Sequence, residues 1–502
     1  MKNKNISKVE VVNKEIKNST FFKFIKNESK WIIYFTVFYF LVGCIINYYY
    51  PFIDNTSDTG GYIRWAQENK YGGTRPLGYS HFIDFIHQIN YTSSFLFWAQ
   101  LFIFSISSII NFYTILFVFE IESKIIKWTL FASNLFFITG IYSTNIAMSD
   151  SVFLDLCILL TSSILLFIKK PNAFLFICIS IFLLYSIKIR PIAAVYPASM
   201  VIIFFICIKN KYLKVLSSAL TILFILIYVN YVKNRTEEDQ GVRIFSSFGG
   251  WQLASNALHV VPYVDIKQPL IETDDDDLKL VDTFVRNSYP YFKHKYPKSN
   301  EVSYEFIWID SLPLRPAFYR WRNNNTQLSY YSAWNYMGDI YDRFGTELIK
   351  KYPDLFLRYY LLNNTKRLLF PPNEIFDKYI LTGDPGKFER NWFNWNDKEK
   401  IEPKKDIFRP LLNINQYSYP ILWALFFLAF LYFLFNLKTI SKISSQVVFR
   451  SSIFIITFIL FYSAASIIAA PINLRFLLPI RSLMIIFSIL MLHSFQLKNK
   501  MN

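Results

Sequence analysis

The apolar residues of this chain do not alternate with polar ones at the spacing of an amphipathic core helix; they fall in unbroken runs of about 17 to 25 residues. At about 1.5 Å of rise per helical residue that length crosses a hydrocarbon layer of about 30 Å, whereas a globular core needs no such run. The pattern predicts spans at 31–50, 94–119, 126–146, 151–168, 172–187, 191–208, 214–232, 418–436, 448–470 and 474–495. The run 172–187 is short and close to Pro191, so 172–208 also reads as one broken element, which lowers the count from ten to nine. The predicted class is an all-α polytopic membrane protein, a bundle of about ten transmembrane helices.

Two stretches interrupt the rhythm of short connections: residues 51–93, and roughly 180 residues from 233 to 417. Binding and catalytic groups concentrate on such loops, so function is sought there. The chain thereby divides into a basic segment 1–30, a transmembrane module 31–232 carrying the loop 51–93, a mixed extracytoplasmic domain 233–417, and closing transmembrane helices 418–502. Within that domain, Gly345 to Leu369 sets Leu348, Phe356, Tyr359 and Leu362 among Lys350, Arg358 and Lys366, a mixture suited to helices lying on the membrane surface. No internal repeat of the kind that marks many transporters is visible.

Composition agrees with the pattern, since 53% hydrophobic and 19% aromatic content is too apolar for an ordinary soluble protein. The net charge of +17 would by itself suggest nucleic acid, but its distribution assigns it to topology. The first 30 residues hold eight Lys against three Glu, and the connections Lys169-Lys170, Lys209 to Lys214 and Lys438 to Arg450 are basic too. With ten spans, these and the Lys498/Lys500 tail fall on one side, which the positive-inside rule makes cytoplasmic, with both termini inside. The expected partner is therefore the lipid bilayer and not nucleic acid. The run after Lys30 ends in Tyr48, Tyr49 and Tyr50 and not in a small-residue cleavage site, so it reads as a signal anchor with an aromatic belt. Cys44, Cys157, Cys178 and Cys207 all lie inside apolar runs, as buried small hydrophobes. Heavy use of Ile, Lys, Asn, Phe and Tyr suits an AT-rich coding bias and hence a bacterial inner (plasma) membrane.

The first loop carries the candidate chemistry: Asp54, Asp58, Tyr62 and Arg64, then Gly72, Gly73, Arg75, Pro76, Gly78 and Tyr79. Asp58 and Tyr62 are four apart and share one face of a short helix, where a carboxylate can take a proton from an acceptor hydroxyl. A helix cap or Asx-turn would use Asp58 equally well. Asp150 sits at the outer end of the fourth span in the position of a cap, and Asp155 lies deeper, facing the bundle or a neighbouring cation. Lys188 and Arg190 precede Pro191 at an outer helix end, and Arg475 and Arg481 begin the last span; Lys188 and Arg475 would also serve as snorkelling anchors. Arg481, six residues beyond Arg475, requires a carboxylate or a bound phosphate at its depth. The run Asp274 to Asp277 lacks the glycine and spaced ligands of a calcium loop and reads as a solvated turn. His81, His87 and His259 lack metal-site spacing, so no metal ligand is assigned.

With these residues in view, the chain resembles the GT-C superfamily of membrane glycosyltransferases, which includes protein O-mannosyltransferases and bacterial aminoarabinose transferases. The likeness rests on Asp58 and Tyr62 after the first span, Arg75-Pro76-Leu77-Gly78-Tyr79 where that group often has Arg-Pro-Pro-Gly-Tyr-Pro, Ser149-Asp150 at the next outer turn, and Arg475 to Pro479 in the last span. It implies an inverting transfer from a polyprenyl-phosphate sugar to a glycan, lipid or protein acceptor on the outer face. In that reading Asp58 is the general base and Asp54 or Asp150 a supporting acid. Arg64, Arg75, Lys188, Arg190, Arg475 and Arg481 are the candidates to hold the lipid phosphate, with Tyr62 and Tyr79 lining the substrate. No cofactor is assigned, a divalent cation being the one candidate. Leu77 and Ser80 depart from the pattern, and the 233–417 domain matches no member of the group. Two other classes share these features: a polysaccharide polymerase or ligase using a diphosphate-linked glycan, and a lipid-linked sugar transporter or flippase.

Overall fold

The computed structural model describes residues 20–289, 302–303, 305–379, 385–396, 400–437 and 446–501; most of the basic N-terminal segment and of the Lys438 to Arg450 connection lies outside them. The principal helices are α1 Lys30–Tyr49, α2 Thr59–Glu68, α3 Gly78–Ile89, α4 Ser93–Val118, α5 Lys124–Leu135, α6 Ile138–Ser143, α7 Ser149–Lys169, α8 Ala173–Ile189, α9 Tyr196–Cys207, α10 Lys211–Gln240, α11 Ser247–Ala257, α12 Tyr330–Lys351, α13 Ser418–Phe435, α14 Gln446–Ala469 and α15 Leu474–Met501. Among the described residues, seven helices are long and apolar enough to cross a membrane: α1, α4, α7, α10, α13 with its lead-in from Arg409, α14, and α15 as far as Phe495. The chain is an all-α integral membrane protein. Its large polar segment is helical as well, and the one β-bridge among the described residues joins Asp54 to Ile146.

Hydrophobic side chains behave here as they must when lipid, not water, is the solvent. Helix α1 buries a single stripe, Trp31, Phe35, Tyr39, Gly43 and Ile46, and leaves Ile33, Val37, Phe40 and Leu41 open. Gly43 is where it meets α4, since a Cβ there would lie 2.5 Å from the Trp98 ring. Helix α7 is buried on nearly every side and forms the centre of the bundle. Its Asp155 accepts a hydrogen bond from Ser107 of α4 at 2.9 Å, and Ser162 donates to Asn111 at 3.3 Å. Of the two settings its depth suggests, Asp155 thus faces the bundle, where it finds a hydroxyl and not a cation.

In place of one continuous span over 126–146, the chain breaks into α5 and α6 at Phe136-Phe137. The reason is local: Ser133 and Asn134 turn their side chains back onto the Leu130 carbonyl, and Thr139, Gly140 and Ser143 follow, a composition that competes with the helix ladder. Residues 144–147 then run beside the first loop, with Asp54 N–H donating to Asn145 O at 2.7 Å and Ala147 N–H to Asp54 O at 2.9 Å. The stretch 172–208 is two helices, α8 and α9, joined by the 3-10 turn Pro191–Val195. Helix α10 runs past the expected end at 232 and stops at Gly241, whose φ of 77° is the left-handed cap that glycine accepts at least cost.

The large polar segment has its own core, in which Trp251 stacks on Trp334 with ring centroids 3.8 Å apart, beside Phe318 and Tyr341. Its two main helices, α11 and α12, cross at glycines: a Cβ on Gly250 would lie 1.8 Å from the Gly338 carbonyl oxygen. Residues 375–412 contribute Phe376, Trp392, Phe393 and Leu412 to the membrane bundle's core instead. The stretch Gly345 to Leu369 is divided likewise: Leu348 and Tyr360 are buried in the second core, and Leu357, Leu362 and Leu369 remain exposed. The first loop docks onto this unit through Gly72 and Gly73, whose carbonyls accept from the Asn335 side chain at 2.9 Å and from Ser247 N–H at 2.9 Å.

Candidate functional site

Asp58 occupies the N-cap position of α2 but makes no side-chain cap bond. Two threonines order the turn before it: Thr59 Oγ1 accepts from Thr56 N–H at 2.9 Å and donates to Ala147 O at 3.0 Å, and Thr56 Oγ1 accepts from Asp58 N–H at 3.2 Å. The carboxylate faces cations. Its Oδ1 lies 2.6 Å from Arg75 Nη2 and its Oδ2 3.9 Å from Arg475 Nη1.

Asp150, in the first turn of α7, is likewise not a cap. It pairs with Arg190, and its Oδ2 lies 3.7 Å from Arg475 Nη1. The third carboxylate is Glu374, which sits 2.9 Å from Arg475 Nε and accepts a hydrogen bond from Asn473 at 2.6 Å. Glu374 holds φ at 54°, a left-handed conformation that costs a side-chain-bearing residue energy and is retained where the surroundings fix it. That fixing is visible: Leu474 N–H donates to Pro372 O at 2.8 Å, and buried Asn364 donates to the Ile467 and Ala470 carbonyls and accepts from Ile472 N–H, each at 2.8 Å. These bonds tie the end of α14 and the start of α15 to the polar segment.

Three guanidiniums thus face three carboxylates drawn from five parts of the chain. Asp58, Arg75 and Arg190 are each about one-fifth exposed, whereas Asp150 is 4% exposed, so the first three form the open face. Burial pushes the Asp58 carboxyl up, but the Arg75 charge and hydrogen bond, backed by Arg475 and Arg190, outweigh it and hold it at about 2. Burial pushes Glu374 up, Arg475 opposes this, and the charges of Asp58 and Asp150 leave it raised above the usual 4.5. Two carboxyls in one network are thereby set at different proton affinities. Each carboxylate already holds a guanidinium, and no three acidic, His or Cys side chains among the described residues converge as metal ligands. As arranged, the residues do not fit a divalent cation.

The other sequence candidates lie at the network's edge or away from it. Tyr62 donates to Ser149 Oγ at 2.9 Å and lies under the Arg75 guanidinium, which places it at the network's wall. Tyr79 is fully buried, packed on Tyr62 and donating to Gln100 at 3.0 Å. Asp54 lies in a second polar group, accepting from Tyr142 at 3.3 Å; Tyr142 in turn accepts from Arg409 at 3.4 Å, and Arg409 and Tyr50 both bond Asp406. Arg64 points outward and donates to Tyr331 at 2.6 Å. Lys188 faces a separate cavity with Tyr185 and Arg235. Among the described residues no carboxylate pairs with Arg481: it donates to Phe136 O at 3.3 Å and covers the Phe137 ring at 4.4 Å, filling the break between α5 and α6. Asp275 caps the helix Asp276–Asn287 and pairs with Arg343, and Asp277 accepts from Trp321 at 2.9 Å.

Sequence reasoning missed Glu374 and Asn364. The only local sign was an acid two residues after Pro371-Pro372, a rigid approach that signals a fixed backbone but names no partner. Comparison of the chain with protein-family models, with curated proteins and with solved structures finds no match.

Proposed function

We propose that this protein is an inverting glycosyltransferase that moves a sugar from a polyprenyl-phosphate donor to an acceptor hydroxyl at the extracytoplasmic face of a bacterial plasma membrane. The observation that carries the reading is the open face of the network, an Asp58 paired with Arg75, with Arg190 held on Asp150 beside it, at the polar end of a membrane bundle. The acceptor oxygen attacks the anomeric carbon opposite the phosphate, the carbon–oxygen bond to phosphate breaks, and the phosphate leaves with that electron pair. Arg75 and Arg190 stabilise the charge it gains, with Arg475 behind them. The acceptor's proton passes to Asp58.

A carboxyl held at about 2 is a feeble base while Arg75 grips it. A phosphate that takes Arg75 over removes that grip and raises the proton affinity of Asp58 only when donor is bound. Within this reading, about ten spans with both termini inside place the 51–93 and 233–417 segments outside, α8, α9 and the broken α5–α6 pair supplying the shorter crossings.

The test is sugar transfer in membranes with Asp58→Asn. A loss of roughly 10²–10⁴ in rate is expected from a stably expressed variant. Undiminished transfer would remove the proposed base. A lipid-linked sugar transporter is the second reading, favoured by one observation: the fully buried Asp155 in the bundle centre. Translocation of donor without a new glycosidic bond, abolished by Asp155→Asn, would select it.

A further inference from the structure

A cavity of about 320 Å³ opens beside the ion-pair network but shares no residue with it. Its walls are Leu184, Tyr185 and Lys188 from the last turns of α8, Tyr228, Tyr231 and Arg235 from α10, and Asn69, Tyr71 and His81 from the first loop. The last turn of α8 is what separates the two sites. The Lys188 carbonyl is pressed against Gly78, where a Cβ would lie 2.4 Å away; Arg190, two residues on, enters the network, while Lys188 enters the cavity.

The cavity has a cationic, hydroxyl-rich head and an apolar approach. No carboxylate among the described residues pairs with the Lys188 ammonium, which lies 5.8 Å from the Tyr185 ring centroid. Arg235 keeps Glu238 at 2.7 Å and Asp239 at 3.9 Å, both further along α10. His81 contacts Asn69 at 3.2 Å. One and two turns below Leu184 and Tyr185, α8 exposes Ile181 and Ile177, and one turn below Tyr228 and Tyr231, α10 exposes Phe224 and Ile227. Since the upper residues of each set face one another across the cavity, helix geometry continues the space downward as an apolar groove. The half-exposed Tyr185 and Tyr231 mark its mouth at the depth where tyrosine prefers to sit, between hydrocarbon and water.

We propose that the cavity binds the phosphate-bearing headgroup of an anionic phospholipid, with an acyl chain in the groove between α8 and α10. Lys188, Arg235 and His81 supply the donors for the phosphate, and the tyrosine hydroxyls serve a hydroxylated head such as glycerol. An ordinary bilayer phospholipid is favoured over the sugar donor because the cavity faces the lipid and the Gly78–Lys188 wall keeps its phosphate off the Asp58 network. This site stands whether or not the transferase reading holds.

The test uses the full-length protein in nanodiscs of phosphatidylcholine with or without phosphatidylglycerol, read by thermal midpoint. Phosphatidylglycerol should raise the wild-type midpoint by about 3 °C or more, and Lys188→Gln/Arg235→Gln should abolish the increment. Lys188→Gln alone should at least halve it, which covers failure of the double variant to fold. Equal wild-type midpoints in both lipids, or an increment that survives the substitutions, would overturn the proposal. So would an increment given by polyprenyl phosphate or by inorganic phosphate but not by phosphatidylglycerol, since the occupant would then be the donor or a free ion.

Discussion

At the scale of single residues, the division of labour around Asp58 is between hydroxyls and carboxylate. Thr56 and Thr59 order the turn through their hydroxyls, and the Asp58 carboxylate pairs with Arg75. Of the roles that spacing leaves open, the side-chain cap is not made, and the carboxylate pairs with Arg75 instead. Residue chemistry also sets a pH dependence in the polar segment. His259 is buried, donates from Nδ1 to Asn256 O at 3.1 Å and accepts from Ser303 N–H at Nε2, so it is held neutral. Burial drives its pKa from 6.5 to about 4, against the pull of its backbone hydrogen bonds. The unfolded chain takes up this proton below 6.5 and the fold does not until about 4. Stability is therefore whole above 6.5 and falls as pH drops toward 4, by up to about 3 kcal/mol at 1.36 kcal/mol per unit. Thermal midpoints between these limits should fall in the wild type and flatten in His259→Asn. The contribution of Asp58 lies lower, complete above its ordinary 3.8 and lost as pH falls to about 2.

Among elements, the crossing of α11 and α12 is the most constrained contact. Gly250→Ala sets a methyl against the Gly338 carbonyl, backbone against which no rotamer can yield, and should destabilise by about 2 kcal/mol or more. Gly249→Ala meets nothing within 4 Å and should be neutral or stabilise by up to about 1 kcal/mol through helix propensity. Denaturant titration of the two variants checks both signs. Hydropathy revealed the long helices because lipid demands length and apolarity together. It hid the break at Phe136, since averaging over a span dilutes Ser133, Asn134 and Gly140 among their apolar neighbours. The same blindness bears on Arg481: the hidden break presents the Phe136 carbonyl, which accepts from its guanidinium at depth.

Over the whole molecule, the network is a tertiary object. The residue types at 58, 75, 150, 190 and 475 were legible as candidates; their partners were not, because nothing local tells Arg475 that Glu374 will arrive on a polar segment of its own. Arg475→Ala leaves three carboxylates without their shared cation and should cost about 3–5 kcal/mol. Adding Glu374→Gln should return part of that loss, a coupling of about 0.5–3 kcal/mol measurable by a double-mutant cycle on melts in detergent. The equal number of positive and negative members has one more consequence. Charges that cancel within a few ångströms cast almost no field at the distance from which a ligand approaches. The network cannot call an anion from afar; it can only recognise one already delivered. Arrival should then be governed by sideways diffusion in the bilayer, at a rate that added salt scarcely changes.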